Sequence, residues 1–310
     1  MKLSSIYVKL ALVAVFIGAS FNLASYAVGY LSAPSAAAWR FGTAALIVLV
    51  LLYARERMRP SALRRNWAAF LLLGVVGVFG FNALFFEGMK TSPPLNGSLI
   101  MAANPMVAAL LARLLLRDRL TRRQLSGILV SLLGVVLVLT QGSWTLVRSL
   151  SFNKGDLLIV AGNVCWALYA VLNRKLVTGS SSLATTAYTM SIGALGLIAL
   201  ASVTPSRLPI PEVPAAAWGA IAFMAVFTSV LGYLWWNEGV SKLGVGRTSI
   251  FFNLVPIVTM LVSLSGGAAV SGVQLAGTAC VLAGVIVTST GDAGRPAVRA
   301  SAQPGPTGRI

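Results

Sequence analysis

Residues 85–105 read FFEGMKTSPPLNGSLIMAANP, and 151 residues later residues 236–256 read WNEGVSKLGVGRTSIFFNLVP. Without a gap, Glu87 falls on Glu238, Gly88 on Gly239, Ser98 on Ser249 and Pro105 on Pro256. One skipped residue further on, Gln124-Leu-x-Gly127 meets Gln274-Leu-x-Gly277, and Gly134-Val meets Gly284-Val. Self-similarity over such a distance sets the architecture before any local reading does. Copies of about 150 residues are too long for solenoid repeats and suit the duplicated half of a membrane protein.

The composition around this stretch agrees. Of 310 residues, 57% are hydrophobic and 10% charged, with a mean hydropathy of +0.85. A soluble domain carries about 25% charged residues, so the chain belongs in a bilayer. The net charge of +17 would suit nucleic acid if the basic residues formed one face. Instead they lie in short loops between apolar runs, which is a topological signal, and no nucleic-acid partner is expected. Cys165 and Cys280 sit inside apolar runs and read as buried thiols, with no disulfide and no metal site. The first apolar run is longer than the core of a signal peptide and nine more follow it, so it reads as a retained helix.

A bilayer core takes about 20 apolar residues per helix. Ten candidates fit, at about 4–29, 35–53, 67–87, 94–116, 124–141, 156–173, 183–203, 216–237, 247–265 and 272–290. The expected fold is therefore an all-α integral membrane protein of ten transmembrane helices. The first repeat occupies residues 1–141, a periplasmic linker 142–155 and the second repeat 156–290, with a disordered cytoplasmic tail over 291–310. With the N-terminus in the cytoplasm, 19 Lys and Arg fall inside, among them Arg55–Arg59, Arg113–Arg123, Arg174 and Lys175. Only four, Lys90, Arg148, Lys154 and Arg207, fall outside. Basic loops are retained on the cytoplasmic side, so both termini are expected there. Trp39, Trp67, Trp144, Trp218, Trp235 and Trp236 fall near expected helix ends, as headgroup-level anchors do. Five helices per repeat is an odd number, so the second copy enters the membrane inverted. Inverted repeats build alternating-access transporters whose site lies near the midplane between the halves.

Candidate site residues follow from what is costly at that depth. Pro105 and Pro256 lie midway along the fourth and ninth helices and free the carbonyls of Met101 and Phe252. Such carbonyls must face protein, water or a ligand. Ser98 and Ser249 share a helix face with the prolines, and Asn253 adds an amide nearby. Serines at such positions also bond back to their own backbone. Asn22 and Tyr26 are spaced i, i+4 on the first helix, Asn163, Trp166 and Tyr169 share the sixth, and Asn82 aligns with Tyr233. Amides at membrane depth turn inward, to line a cavity or to bond between helices. Asn22, Tyr26, Asn82, Ser98, Met101, Asn163, Trp166, Ser249 and Asn253 are thus the expected substrate-binding set. Glu87 and Glu238 end the third and eighth helices at opposite surfaces, as paired gates would, with Pro105 and Pro256 as the kinks beside them. Arg40 lies inside the second helix and either snorkels outward or pairs with Glu87. Glycines at 74, 77, 80, 127, 134, 277 and 284 read as close helix contacts.

The chain has no histidine, and none of the HExxH, P-loop or nucleotide-binding glycine motifs is present. No cofactor is expected, and no ATP-driven cycle without a partner.

In this order of motifs the chain resembles the drug/metabolite transporter superfamily, specifically its EamA-type exporters with two five-helix repeats. The resemblance spans about residues 5–290. It rests on Trp39-Arg40-Phe41, Glu87-Gly88 and Glu238-Gly239, Pro105 and Pro256, and the Gln-Leu-x-Gly and Gly-Val signatures. One departure is that the acid after the fourth helix, Asp118, is matched by Ala269 in the second copy. The resemblance implies a bacterial inner-membrane exporter of small metabolites, with neutral or aromatic amino acids as the preferred class. A multidrug exporter of organic cations is one alternative, although such proteins carry a glutamate in the first helix and this one does not. A polytopic enzyme acting on lipids is another, although no cluster of His, Asp or Glu stands at either face. With few buried acids, transport is expected to run downhill on substrate without a proton gradient.

Overall fold

The computed structural model describes residues 3–56, 60–116, 122–140, 142–143, 153–205, 208–267, 269 and 271–290. The expected positions of Asp118, Trp144, Arg148 and Arg207, most of the linker and the whole tail lie outside these residues. All regular structure among the described residues is helical.

Ten long helices run in chain order among the described residues. They are α1 (Leu3–Tyr30), α2 (Ala33–Arg55), α3 (Pro60–Leu73 continued through Gly74–Gly80 to Phe81–Gly88), α4 (Pro94–Ala102 then Asn104–Leu116) and α5 (Arg122–Thr140). The second half repeats the series with α6 (Lys154–Leu176), α7 (Ser182–Ser202), α8 (Ala215–Phe223, Met224–Leu231 and Gly232–Leu243), α9 (Val245–Ser249, Ile250–Asn253 and Leu254–Ser265) and α10 (Gly272–Thr290). Eight of them, all but α5 and α10, are long and apolar enough to cross a membrane. The molecule is a multi-span membrane protein.

Local chemistry sets the helix starts. The Ser32 hydroxyl accepts from the Ser35 amide and Pro34 occupies the first turn of α2. Asn153 Oδ1 accepts from Gly155 N at 2.8 Å to open α6, and Ser181 Oγ accepts from Ala184 N at 3.0 Å to open α7. Each satisfies a backbone donor that the first turn would leave unpaired. Helix α6 carries Asp156 in its first turn and Arg174 and Lys175 in its last, the arrangement that the helix dipole favours.

The irregularities repeat as faithfully as the sequence does. Helix α3 widens to π geometry over Gly74–Gly80 and α8 over Met224–Leu231, positions 151 residues apart to within one residue. Helix α4 breaks at Ala103, and α9 tightens to a 3-10 turn over Ile250–Asn253, at the same spacing to within one residue. Packing follows the same exchange. Helix α1 packs on α9 as α6 does on α4, α3 packs on α6 and α7 as α8 does on α1 and α2, and the α2–α7 and α5–α10 pairs join like to like.

Glycine permits these approaches. A Cβ on Gly74 would stand 2.9 Å from Thr189 O on α7, and one on Gly88 would stand 2.8 Å from Gly155 O on α6. On Gly134 it would come 2.7 Å from Val281 N on α10. Small residues let membrane helices touch backbone to backbone, where no hydrophobic force between helices draws them together.

Candidate functional site

The π segments rotate the halves of α3 and α8 that follow them, so that Phe81 and Phe85, and Gly232, Tyr233 and Trp236, reach one central cavity. Single π turns inside α-helices recur at functional sites because they redirect the side chains after them. Three pairs of lining residues stand 151 apart in sequence: Phe81 with Gly232, Phe85 with Trp236, and Met101 with Phe252. The cavity therefore lies where the two halves meet. Helix α1 completes it with Val13, Ile17, Ser20 and Phe21, α2 with Arg40, α6 with Trp166 and α8 with Thr228.

Its wall is aromatic. Trp166 stacks on Tyr169 at 5.5 Å and meets Tyr233 edge-on at 4.9 Å, Phe81 at 5.2 Å and Trp236 at 5.5 Å. Trp236 packs edge-on to Phe252 at 4.9 Å. The volume enclosed is about 40 Å³, room for a few water molecules and far below the roughly 300–1,000 Å³ of small-molecule sites. This is a narrow arrangement, and anything larger enters only when these rings move apart.

The polar groups of the lining divide into satisfied and unsatisfied. Ser20 Oγ donates to Phe16 O at 2.8 Å and lies 2.6 Å from Thr228 Oγ1. The Tyr233 hydroxyl donates to Gly77 O at 3.3 Å and accepts from Asn82 Nδ2 at 3.2 Å. Arg40, 4% exposed, donates from Nε to Ser229 Oγ at 2.8 Å. Its guanidinium carbon stands 4.8 Å from the Phe41 ring centre and 5.7 Å from that of Phe86. The indole N–H groups of Trp166 and Trp236 are buried without a hydrogen-bond partner among the described residues.

Of the expected binding residues, Met101 and Trp166 line this cavity. Asn82 is fully buried behind Tyr233, donating also to Val78 O at 2.8 Å. Asn163 lies at the break in α4, where its amide donates to Ile100 O at 2.7 Å and accepts from Asn104 Nδ2 at 2.7 Å. It thereby adds a second donor to a carbonyl that also accepts from Ala103 N at 3.2 Å. Asn22 ties α1 to α9, donating to Thr259 O at 3.2 Å and accepting from Ser263 Oγ at 2.8 Å. Tyr26 is exposed on α1 with Tyr30 5.1 Å away. Ser98 and Ser249 donate to their own helices, to Leu95 O at 2.7 Å and Gly246 O at 3.0 Å. Asn253 sits in the 3-10 turn with its buried Oδ1 unpartnered among the described residues, and Pro105 and Pro256 are buried just beyond the two irregularities.

The two glutamates have different surroundings. Glu238 accepts from Lys9 of α1 at 2.8 Å and from Lys242 at 2.6 Å, so it links the halves at the end of the molecule where α1 begins. Glu87 pairs at 2.7 Å with Lys90, three residues on, at the opposite end. There Ser92 donates to the buried Asp156, and Asn153 Nδ2 donates to Thr91 O at 2.8 Å. Arg40 therefore neither snorkels nor meets Glu87, because Ser229 and two phenyl faces hold it inside. Trp236 is likewise no interfacial anchor, being 1% exposed at the cavity. Both cysteines are free thiols, half-buried rather than buried as expected, because each side chain lies at the edge of its helix contact. Among the described residues no group of three or more His, Cys, Asp or Glu is placed to hold a metal ion.

Sequence reasoning passed over Phe81, Phe85, Tyr233, Trp236, Phe252 and Arg40 as a set. The signal that finds most of them is the repeat itself, since positions matched at the 151-residue offset converge on the cavity.

The model of the EamA-like transporter family matches twice, over residues 4–140 and 153–290. An uncharacterized transporter of Bacillus subtilis, YyaM, is 50% identical over 289 residues, covering 93% of this chain and 95% of its own. The aromatic amino acid exporter YddG of Ancylobacter novellus is 23% identical, over 74% of this chain and 78% of its own. A protein named as a probable terminal-alkyne amino-acid exporter of Streptantibioticus cattleyicolor is 24% identical, over 76% and 77%. A solved crystal structure covers 93% of this chain and 98% of its own with a TM-score of 0.68 at 23% identity, which is a likeness of fold.

Proposed function

Because the chain belongs to the EamA-like transporter family, we propose that it exports small metabolites, neutral or aromatic amino acids in the first place, by alternating access through the central cavity. It moves substrate and makes or breaks no bonds. The observation that carries this reading is the narrow aromatic cavity at the meeting of the two halves, lined by pairs of residues at the repeat spacing. The ten helices act as two inverted five-helix repeats, each rocking against the other about this site. The substrate-binding set is centred on Trp166 and Met101, with Asn82 supporting Tyr233. Asn163 and Asn22 hold the broken or packed segments of α4, α9 and α1 that must move, and Asn253 leaves an open acceptor in the 3-10 turn of α9.

The protein lies in the bacterial inner membrane with both termini cytoplasmic, as the loop charges favour. Lys9, Glu238 and Lys242 then form the cytoplasmic gate. Glu87 with Lys90, beside Asp156 and Ser92, stands at the periplasmic end. Flux tests the whole reading. Phenylalanine preloaded into proteoliposomes should leave through the purified protein with pH equal on both sides and an uncoupler present. If no member of a panel of neutral and aromatic amino acids leaves faster than from protein-free vesicles, the reading fails. Efflux only under an imposed proton gradient would instead make one of the carboxylates a proton carrier.

The gate has its own expected result. An ion pair this close to the surface contributes up to about 1 kcal/mol, so Lys9→Met should raise the inward-open population roughly fivefold at most. In a background lacking Cys165 and Cys280, a cysteine at Ser20 in inside-out vesicles reports this as faster labelling by an impermeant thiol reagent. The same vesicles check sidedness, since Lys175→Cys should label in them and Glu212→Cys only in right-side-out ones. Unchanged labelling of the Ser20 cysteine would remove Lys9 from the gate, and reversed sidedness would invert the topology.

A further inference from the structure

The cavity is a one-signed site. Its lining holds one formal charge, the Arg40 guanidinium, and no carboxylate. Among the described residues no Asp or Glu comes within ion-pair range of Arg40, and Glu87 and Glu238 are engaged by lysines at the two ends. The unsatisfied polar groups of the lining are donors as well: the indole N–H of Trp166, 3% exposed, and that of Trp236, 1% exposed. The lining hydroxyls of Ser20, Thr228 and Tyr233 are committed to protein partners. The buried acceptors without a partner among the described residues, Asn82 Oδ1 behind Tyr233, Asn253 Oδ1 next in the chain to Phe252 and Asn104 Oδ1, are neutral amide oxygens outside the lining.

Such an arrangement is costly without a counter-charge. A cation at membrane depth is disfavoured by roughly 2.5–3.5 kcal/mol even on insertion scales. One hydroxyl and the faces of Phe41 and Phe86 offset part of this, since cation–π contacts strengthen when desolvated. Buried donors left unpaired add their own desolvation cost. A planar anion with two acceptor oxygens answers the guanidinium fork and indole donors together. An ammonium group would be repelled by Arg40 and would find only neutral acceptors.

We propose that Arg40, with the indole N–H groups of Trp166 and Trp236, is an anion-binding site that selects substrates by a carboxylate, and that an ammonium group is dispensable for recognition. The aromatic wall takes the apolar body of the same molecule. This rests on the central cavity being the transport site, and it divides the candidate substrates: carboxylates with or without an amino group are accepted, and amines without a carboxylate are refused.

Three probes with the same phenyl body separate the charges: 3-phenylpropionate, phenylalanine and phenethylamine. Binding to purified protein is followed by titration calorimetry, and entry into proteoliposomes by exchange against preloaded phenylalanine. The expected order is 3-phenylpropionate at least equal to phenylalanine, with phenethylamine unbound. Arg40→Gln should weaken both carboxylates about thirtyfold or more, as loss of one partner of a buried charge pair does. Arg40→Lys keeps the charge and should retain the order with reduced affinity, so the site remains testable if the glutamine variant folds poorly. Phenethylamine binding as tightly as 3-phenylpropionate, carboxylate binding undiminished in folded Arg40→Gln, or no saturable carboxylate binding at all would each overturn the assignment. Carried flux of phenethylamine would overturn the anion site while leaving the cavity as the transport route. Arg40-dependent binding with no flux would do the reverse.

Discussion

Trp166→Ala is expected to reduce efflux at least tenfold and to lower the melting temperature of the purified protein. Trp166 touches more of the cavity wall than any other ring described here, meeting Phe81, Tyr169, Tyr233, Trp236 and Phe252 within 6.3 Å. Truncating such a side chain in a packed interior costs about 3–5 kcal/mol, because its neighbours relax only partly into the space. In a two-state carrier that loss falls unequally on the open and closed forms, so rates suffer beyond stability. Trp166→Phe keeps a ring and loses the N–H, so it should melt close to the parent and transport at an intermediate rate. Parental efflux from folded Trp166→Ala protein would detach this wall from function.

Gly77→Ala is expected to destabilise the protein although it adds one methyl group to a helix. Alanine favours a helix over glycine by about 1 kcal/mol, so a purely local account predicts a gain. At Gly77, in the π segment of α3, the added Cβ would collide with Cβ, Cγ and Cδ2 of Tyr169 on α6. Tyr169 has little room to yield. It is fully buried, stacked on Trp166, and its hydroxyl exchanges hydrogen bonds with Asn237, which also donates to Thr186 Oγ1 at 2.8 Å. Overpacking of this kind costs about 1–3 kcal/mol, and the strain passes directly to the cavity wall. Gly219→Ala is the control, because nothing lies within 4 Å of a Cβ there, and it should melt at or slightly above the parent. Thermal denaturation in detergent separates the two. Equal melting of both variants would show that α3 and α6 are not held at the observed distance.

Several readings were available to the chain before any tertiary structure. Hydropathy and the loop charges identify a multi-span membrane protein, since burying backbone polar groups in lipid leaves helices as the economical solution. The repeat at 151 residues marks in advance the matched irregularities at Ala103 and Ile250–Asn253. Trp166 and Met101 were legible because an indole at mid-helix and a residue one turn before a membrane proline are both unusual. The family resemblance was legible for the same reason, since Glu87-Gly88, Glu238-Gly239 and the prolines recur in fixed order.

The rest depended on contacts between residues far apart in the chain. Asn22 and Asn163 are both mid-membrane amides, and their sequence neighbourhoods do not say that one ties α1 to α9 while the other closes a broken turn in α4. Arg40 offered snorkelling or a pairing with Glu87, and only the approach of α8 supplies Ser229, 189 residues away, to hold it inside. Trp236 sits near a helix end in sequence, like an interfacial anchor. The π segment over Met224–Leu231 turns it to the cavity instead, and a change of helical pitch leaves no mark in hydropathy. Composition and periodicity determine which segments enter the membrane, because that depends on each segment's transfer from water to lipid. Which polar groups face a substrate is decided by helix–helix geometry, because the segments are all predominantly apolar and packing and hydrogen bonding distinguish one face from another.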